Sequence, residues 1–148
     1  VFETDLELMF PNNYINSSTE RLKLYTQLNK IYKLDELNSF KLELIDRFGT
    51  LPNVVVELLN SLELRWLAGA LGFDKIVLKK NILISYMMNF DSDEQKKKLD
   101  KLFEYSNLNP NSISFSQKKL ENGDKFIVKI KNIDSVSKAI KVLEEINT

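Results

Sequence analysis

Hydrophobic and polar positions alternate over the first ten residues, VFETDLELMF. Phe2, Leu6, Leu8 and Phe10 share one side and Glu3, Asp5 and Glu7 the other, as in a half-buried strand or an extended entry segment. Pro11, Asn12 and Asn13 end it. From Ser17 the period lengthens to that of a helix. Ser17 and Glu20 fit a capping box, and Leu24, Leu28 and Ile31 form an apolar row that predicts a helix to about Tyr32. A second helix is predicted from about Asp35 to Phe48, with Leu37, Phe40, Leu44 and Phe48 on one stripe. Gly49 stands where a left-handed residue closes a helix. Pro52 suits the first turn of a third helix that runs to Leu71 and stops at Gly72. Its apolar residues, Val55, Leu58, Leu59, Leu62, Trp66 and Ala70 among them, nearly encircle it and predict a buried element.

The pattern then changes. Residues 73–79 and 82–87 are β-branched runs joined by Lys80-Asn81 and read as a hairpin. Ser92 and Gln95 fit a second capping box, opening a helix to about Tyr105 with Leu99, Leu102 and Phe103 facing inward. Residues 112–116 and 125–131 are strand-like around the turn signal Asn122-Gly123. Asp134 opens a last helix carrying Val136, Ala139, Ile140, Leu143 and Ile146 at helical spacing. The expected class is α+β: a helical N-terminal half, 1–72, followed by β-β-α-β-β-α over 73–148 with a small antiparallel or mixed sheet, the whole read as one domain, 1–148. The two ββα stretches resemble a tandem unit of about 35–40 residues in pattern alone, without a shared motif.

Composition removes several chemistries. The 148 residues include no cysteine and no histidine, which excludes disulfides, Cys/His zinc sites, thiol nucleophiles and imidazole acid–base catalysis. Four glycines, Gly49, Gly69, Gly72 and Gly123, form no phosphate-binding loop. Asp91, Asp93 and Glu94 lack the other ligands and the central glycine of a calcium loop, and read as helix-start carboxylates. Lysine plus arginine balances aspartate plus glutamate at 21 each, so no global charge points to a polyanion. Lys96, Lys97, Lys98 and Lys101 read as a solvated helix face. Lys118, Lys119, Lys125, Lys129 and Lys131 decorate the second hairpin, mostly as a solubility pattern. No run is long and apolar enough for a membrane span, and no signal-peptide pattern opens the chain. A chain starting at Val1 is expected to be processed or part of something longer, and cytoplasmic.

One polar face stands out. On the second helix Glu43, Asp46 and Arg47 form one polar face next to the apolar stripe of Phe40, Leu44 and Leu37. Glu43 and Arg47 suit an i,i+4 ion pair worth about 0.2–0.5 kcal/mol, which by itself explains them. Leu42 lies off the apolar stripe beside these charges, the composition of a modest docking surface.

The segments FPNNYI (10–15), Arg21-Leu22 with Tyr25, ELIDRFGTLP (43–52), Leu58-Leu59, Leu64, Ala68 and Leu71-Gly72 resemble, in order and spacing, the C-terminal domain of bacterial transcription-repair coupling factors. That family's signature looks like IP-x-x-YI, RL-x-x-Y, ELIDRFG-x-LP and an LG near a helix end. Thr50 stands where the family often has proline, and Phe73 where it often has isoleucine. The resemblance covers residues 6–73; the second half carries no signature. It implies a non-catalytic regulatory domain without a cofactor of its own, ATP and magnesium belonging to motor modules elsewhere in the parent. Such a domain docks on the parent's N-terminal UvrB-like module and masks its UvrA-binding surface. It thereby restrains a DNA translocase that displaces stalled RNA polymerase and recruits nucleotide-excision repair. The resemblance places the docking contacts on Glu43, Asp46 and Arg47, and Leu42 joins them on physical grounds. The alternative is a small α+β nucleic-acid-binding module using the lysine-rich second half.

Overall fold

The computed structural model describes residues 1–148. Its elements run β1 (Phe2–Thr4), α1 (Ser18–Leu28), α2 (Leu34–Phe48), α3 (Asn53–Ala70), β2 (Lys75–Lys79), β3 (Ile82–Met88), α4 (Asp93–Leu108), β4 (Ile113–Leu120), β5 (Gly123–Lys131) and α5 (Val136–Asn147). The chain divides into two compact units: Glu7–Glu63, and Val1–Leu6 with Leu64–Thr148. Helix α3 contributes its first part to one and its last turns to the other.

In the helical unit α1 begins where its cap predicts. Ser17 Oγ accepts the Glu20 N–H at 3.2 Å. The reciprocal half of the capping box is not made, because the Glu20 carboxylate is taken by Arg47. Helix α1 ends at Leu28, short of Tyr32. The N–H groups of Asn29, Lys30 and Ile31 donate to Tyr25, Gln27 and Leu28, a tightened last turn that still buries Ile31 and leaves Tyr32 exposed. Helix α2 buries Leu37, Phe40 and Leu44, while Phe48 stays half-exposed. Gly49 closes it by donating to the Ile45 carbonyl at 2.9 Å. Its φ of 91° and ψ of −166° lie outside the left-handed helical region expected for it, in a region open essentially to glycine alone. Pro52 is the N-cap of α3 and not a first-turn residue, since its carbonyl accepts the N–H groups of Val55 and Val56 at 3.0 Å. The row that α3 buries here is Val55, Leu59 and Leu62, with Leu58 half-exposed, and Glu63 pairs with Lys41 of α2 at 3.7 Å.

The other unit is built on one five-stranded mixed sheet in the order β1-β2-β3-β5-β4. The alternating first segment supplies β1, parallel to β2 with Phe2 opposite Ile76. The remaining neighbours are antiparallel. Lys80 and Asn81 turn the first hairpin with φ of 53° and 62°, the doubly positive geometry that matches strand twist. The second hairpin turns one residue earlier than Asn122-Gly123 suggests. Leu120 pairs with Gly123, so Glu121-Asn122 form the turn, and Gly123 supplies its one positive φ, 125°.

The two ββα stretches share more than a pattern. Asn89-Phe90-Asp91-Ser92 follows β3 and Asn132-Ile133-Asp134-Ser135 follows β5. Asn89 and Asn132 both leave their strands with positive φ, 51° and 62°, which asparagine tolerates better than most residues. Ser92 and Ser135 then cap the next helix, accepting the N–H of Gln95 at 3.2 Å and of Lys138 at 3.0 Å. Helix α5 is therefore capped by Ser135, not by Asp134. The second strand of each hairpin lies at the centre, β3 against β5. Helix α4 covers one face: the Phe103 ring lies 5.2 Å from Phe115 and 6.4 Å from Phe126. The Lys101 ammonium donates to the Asn147 carbonyl of α5 at 3.1 Å. Leu83, Met87, Val128 and Ile130 are buried on this side of the sheet. Phe103, expected to face inward, sits at the rim, 43% exposed.

Candidate docking face

Most residues of the three sequence segments in the helical unit hold that unit together. Tyr25 Oη accepts the Phe10 N–H at 2.7 Å, and the two rings lie 4.7 Å apart. Arg21 donates to the Ile15 carbonyl at 2.6 Å and the Asn16 carbonyl at 3.2 Å, clamping the loop before α1. Tyr14 donates to the Gly49 carbonyl at 2.8 Å and the Leu44 carbonyl at 3.2 Å, satisfying acceptors at the open end of α2. Burial pushes the Tyr14 phenol above the usual tyrosine range, which keeps it a donor. Its ring lies 5.8 Å from Phe48.

The polar side of α2 splits into two parts. Glu43 and Arg47 turn toward α1. Arg47 forms its shortest ion pair with Glu20 and a longer one, 3.7 Å, with Glu43. Gln27 donates to Glu43 at 3.2 Å, and the Arg47 guanidinium lies 4.8 Å from the Phe48 ring centroid. The i,i+4 pair is present, but it is the weaker half of a three-residue cluster. Leu42, Ile45 and Asp46 point outward. Leu42 is 68% and Ile45 45% exposed, and the Asp46 carboxylate has no ion pair or hydrogen bond. An exposed leucine and isoleucine one helical turn apart, beside a free carboxylate and a satisfied arginine, form a surface suited to docking rather than bond-making.

Comparison with known proteins bears on this geometry. The family model described as the TRCF domain matches residues 4–102. The chain belongs to the TRCF domain family. It is 29% identical over 142 residues to the transcription-repair-coupling factor of Borreliella burgdorferi, a match covering 89% of this chain and 13% of that protein. The transcription-repair-coupling factors of Haemophilus influenzae and Escherichia coli are each 36% identical over 78 residues, covering 50% of this chain and 7% of theirs. The chain thus spans a small part of the length of these relatives. Its fold is similar to a crystal structure of the C-terminal domain of a transcription-repair coupling factor, with a TM-score of 0.68 at 15% identity over 99% of this chain and 91% of that one.

The sequence reading omits three residues near this face of the TRCF domain. Glu20 and Gln27 come from α1 and join the charges only through packing of α1 on α2. Ile45 was legible, since it lies three residues from Leu42 on the same helical side.

Proposed function

We propose that this TRCF domain is the non-catalytic regulatory part of a transcription-repair coupling factor, working by intramolecular docking on the N-terminal UvrB-like module through α2. In this reading it masks the UvrA-binding surface and restrains an ATP-driven DNA translocase that acts on stalled RNA polymerase. It needs no cofactor of its own. The observation that carries the reading is the division of the segment 42–47. Once the scaffold contacts are accounted for, Leu42, Ile45 and Asp46 have no work inside the helical unit, yet they lie together beside the Glu43–Arg47 pair. The two apolar side chains give the dock its dry centre, and Asp46 offers an unpaired charge for a cation on the partner. A small rim of charges makes such a dock weak and sensitive to salt. Tethering in one chain raises its effective concentration enough to populate it, and competing contacts elsewhere release it.

The test is a double change, Leu42→Asp with Asp46→Lys, both at exposed positions. The expected result is an unchanged melting temperature of this chain, together with raised ATPase activity and UvrA binding in the full-length coupling factor. A folded double variant whose parent stays repressed and unable to bind UvrA removes these residues from the mechanism.

A further inference from the structure

The sheet has a second face, away from α4. Glu3 lies on it at one edge and pairs with Lys75 at 3.2 Å and Lys79 at 3.7 Å. The hydrogen bond and charge of Lys75, helped by Lys79, hold the Glu3 carboxyl below its usual range, so that edge is ion-paired. The other edge is not. Lys125, Lys129 and Lys131 recur on one side of β5, and Lys118 of β4 stands directly opposite Lys125. None of these four joins an ion pair. At about 3.4 Å per strand residue, Lys125 lies about 14 Å from Lys129, and Lys131 about 7 Å beyond it.

Counted along the sequence, the aromatic among these lysines is Phe126, which alternation turns to the α4 face, so β5 itself puts no ring on the lysine side. Strand pairing supplies one. Tyr86 of β3 falls between Lys75 of β2 and Ile127 of β5, its register partners on either side. The Lys125 ammonium lies 4.5 Å from the Tyr86 ring centroid and that of Lys75 6.0 Å. Ile84 and Ile127 are part-exposed beside it. A row of cations along one strand, with a part-exposed ring and flat aliphatic surface at its side, combines the two parts of a single-strand platform: charge that tracks a backbone and a surface on which bases lie. A duplex keeps its base faces stacked away from such a ring. An acidic protein segment would pair with the lysines through its carboxylates alone, and nothing in that pairing uses the Tyr86 ring.

We propose that this sheet face binds single-stranded nucleic acid without sequence preference. Lys118, Lys125, Lys129 and Lys131 take phosphates, and Tyr86 stacks a base. On binding, Lys125 moves from the ring to the neighbouring phosphate and the base takes its place. The proposal does not depend on the docking role of α2.

The experiment measures fluorescence anisotropy of a labelled oligothymidylate of about twenty nucleotides with this chain, at about 50 and about 200 mM salt. With three to four phosphates engaged, the logarithm of affinity is expected to fall against that of salt with a slope of about −2 to −3, and each of Lys125→Gln and Lys129→Gln flattens it by about 0.7. Tyr86→Leu weakens binding at least about fivefold with the slope unchanged, while Tyr86→Phe keeps the affinity. Melting curves of all variants match the parent chain. The proposal is overturned by absence of binding at the lower salt, or by tighter binding of a duplex of equal length. It is equally overturned if Lys96→Gln with Lys97→Gln on α4 weakens binding as much as the sheet variants, which would mean diffuse attraction. Competition by polyglutamate as strong as by unlabelled oligothymidylate would give the face to an acidic protein instead.

Discussion

Two charged faces, one in each unit, treat their charges differently. On α2 of the helical unit cations close on acids: Arg47 on Glu20 of α1 and on Glu43 of its own helix, and Lys41 on Glu63 of α3. On the sheet, Lys118, Lys125, Lys129 and Lys131 line up without an acid among them. An arginine inside a recognisable segment thus turns out to be largely satisfied within its own unit, whereas lysines that look like a solubility coat are the ones left free. Proximity to a motif is a poorer guide to an available charge than the list of groups that already hold it. The helical unit is also the part bound by specific polar clasps, Tyr14, Arg21 and Tyr25 each tying separate segments together. The sheet unit relies on register and on a repeated Asn-x-Asp-Ser turn.

The most severe break of the comparison removes the core of the helical unit. Phe40 is 2% exposed and lies 6.5 Å, ring to ring, from the buried Phe10. Phe40→Ala is expected to cost about 3–5 kcal/mol, read by urea unfolding followed by circular dichroism. Phe48→Ala, at a half-exposed position, is expected to cost well under half as much. If the two cost the same, the buried stripe of α2 is misassigned.

How much of this could be read from sequence follows from the range of the interactions involved. Helical period and local caps exposed α2, α3 and α5 almost to the residue, because i,i+3 and i,i+4 neighbours decide them. The β-branched runs and the Lys80-Asn81 turn exposed the first hairpin for the same reason. Losses occurred where a distant group intervened. Glu20 looked like the second half of a capping box until α2 brought Arg47 to it. The stripe on α4 could not show that Phe103 sits at the rim, since that depends on the width of the sheet beneath it. Asn122-Gly123 marked the second hairpin but not its register, which the pairing of Leu120 with Gly123 sets. The repeated Asn-x-Asp-Ser turn was present in the sequence and became visible only when both copies were seen leaving equivalent strands. At the candidate docking face the sequence alone brings Glu43, Asp46, Arg47 and Leu42 together. Their separation into an inward pair and an outward pair needed α1.

Two glycines sharpen the contrast at an intermediate scale. Gly49 in the helical unit has a φ of 91° with open space where a Cβ would stand, so Gly49→Ala bears a backbone cost alone, about 1–3 kcal/mol. Gly72 in the sheet unit has a φ of 88°, and an added Cβ would also collide with Oε1 at the end of the Gln95 side chain. Gly72→Ala should therefore cost more than Gly49→Ala. Adding Gln95→Ala should recover the excess and leave the backbone cost, a coupling readable in a double-mutant cycle. If Gln95→Ala recovers nothing, the flexible amide had moved aside and the two glycines are equivalent.

The smallest effect on stability carries the most information about mechanism. Arg47→Ala removes two ion pairs from a side chain that is 40% exposed, and surface pairs of this kind are worth about 0–1 kcal/mol. Its melting shift alone cannot separate a docking residue from a scaffold residue, but its partner can. Glu20→Gln takes away the main anchor of Arg47 while leaving Leu42, Glu43, Asp46 and Arg47 in place. If Arg47 serves only to hold α1 against α2, the two variants should behave alike, with the same slight loss of stability and the same effect, or none, on the ATPase activity of the full-length factor. If Arg47 reaches the UvrB-like module itself, the two diverge. Arg47→Ala then raises ATPase activity. Glu20→Gln leaves repression intact or strengthens it, because a guanidinium released from Glu20 is freer to pair across the interface.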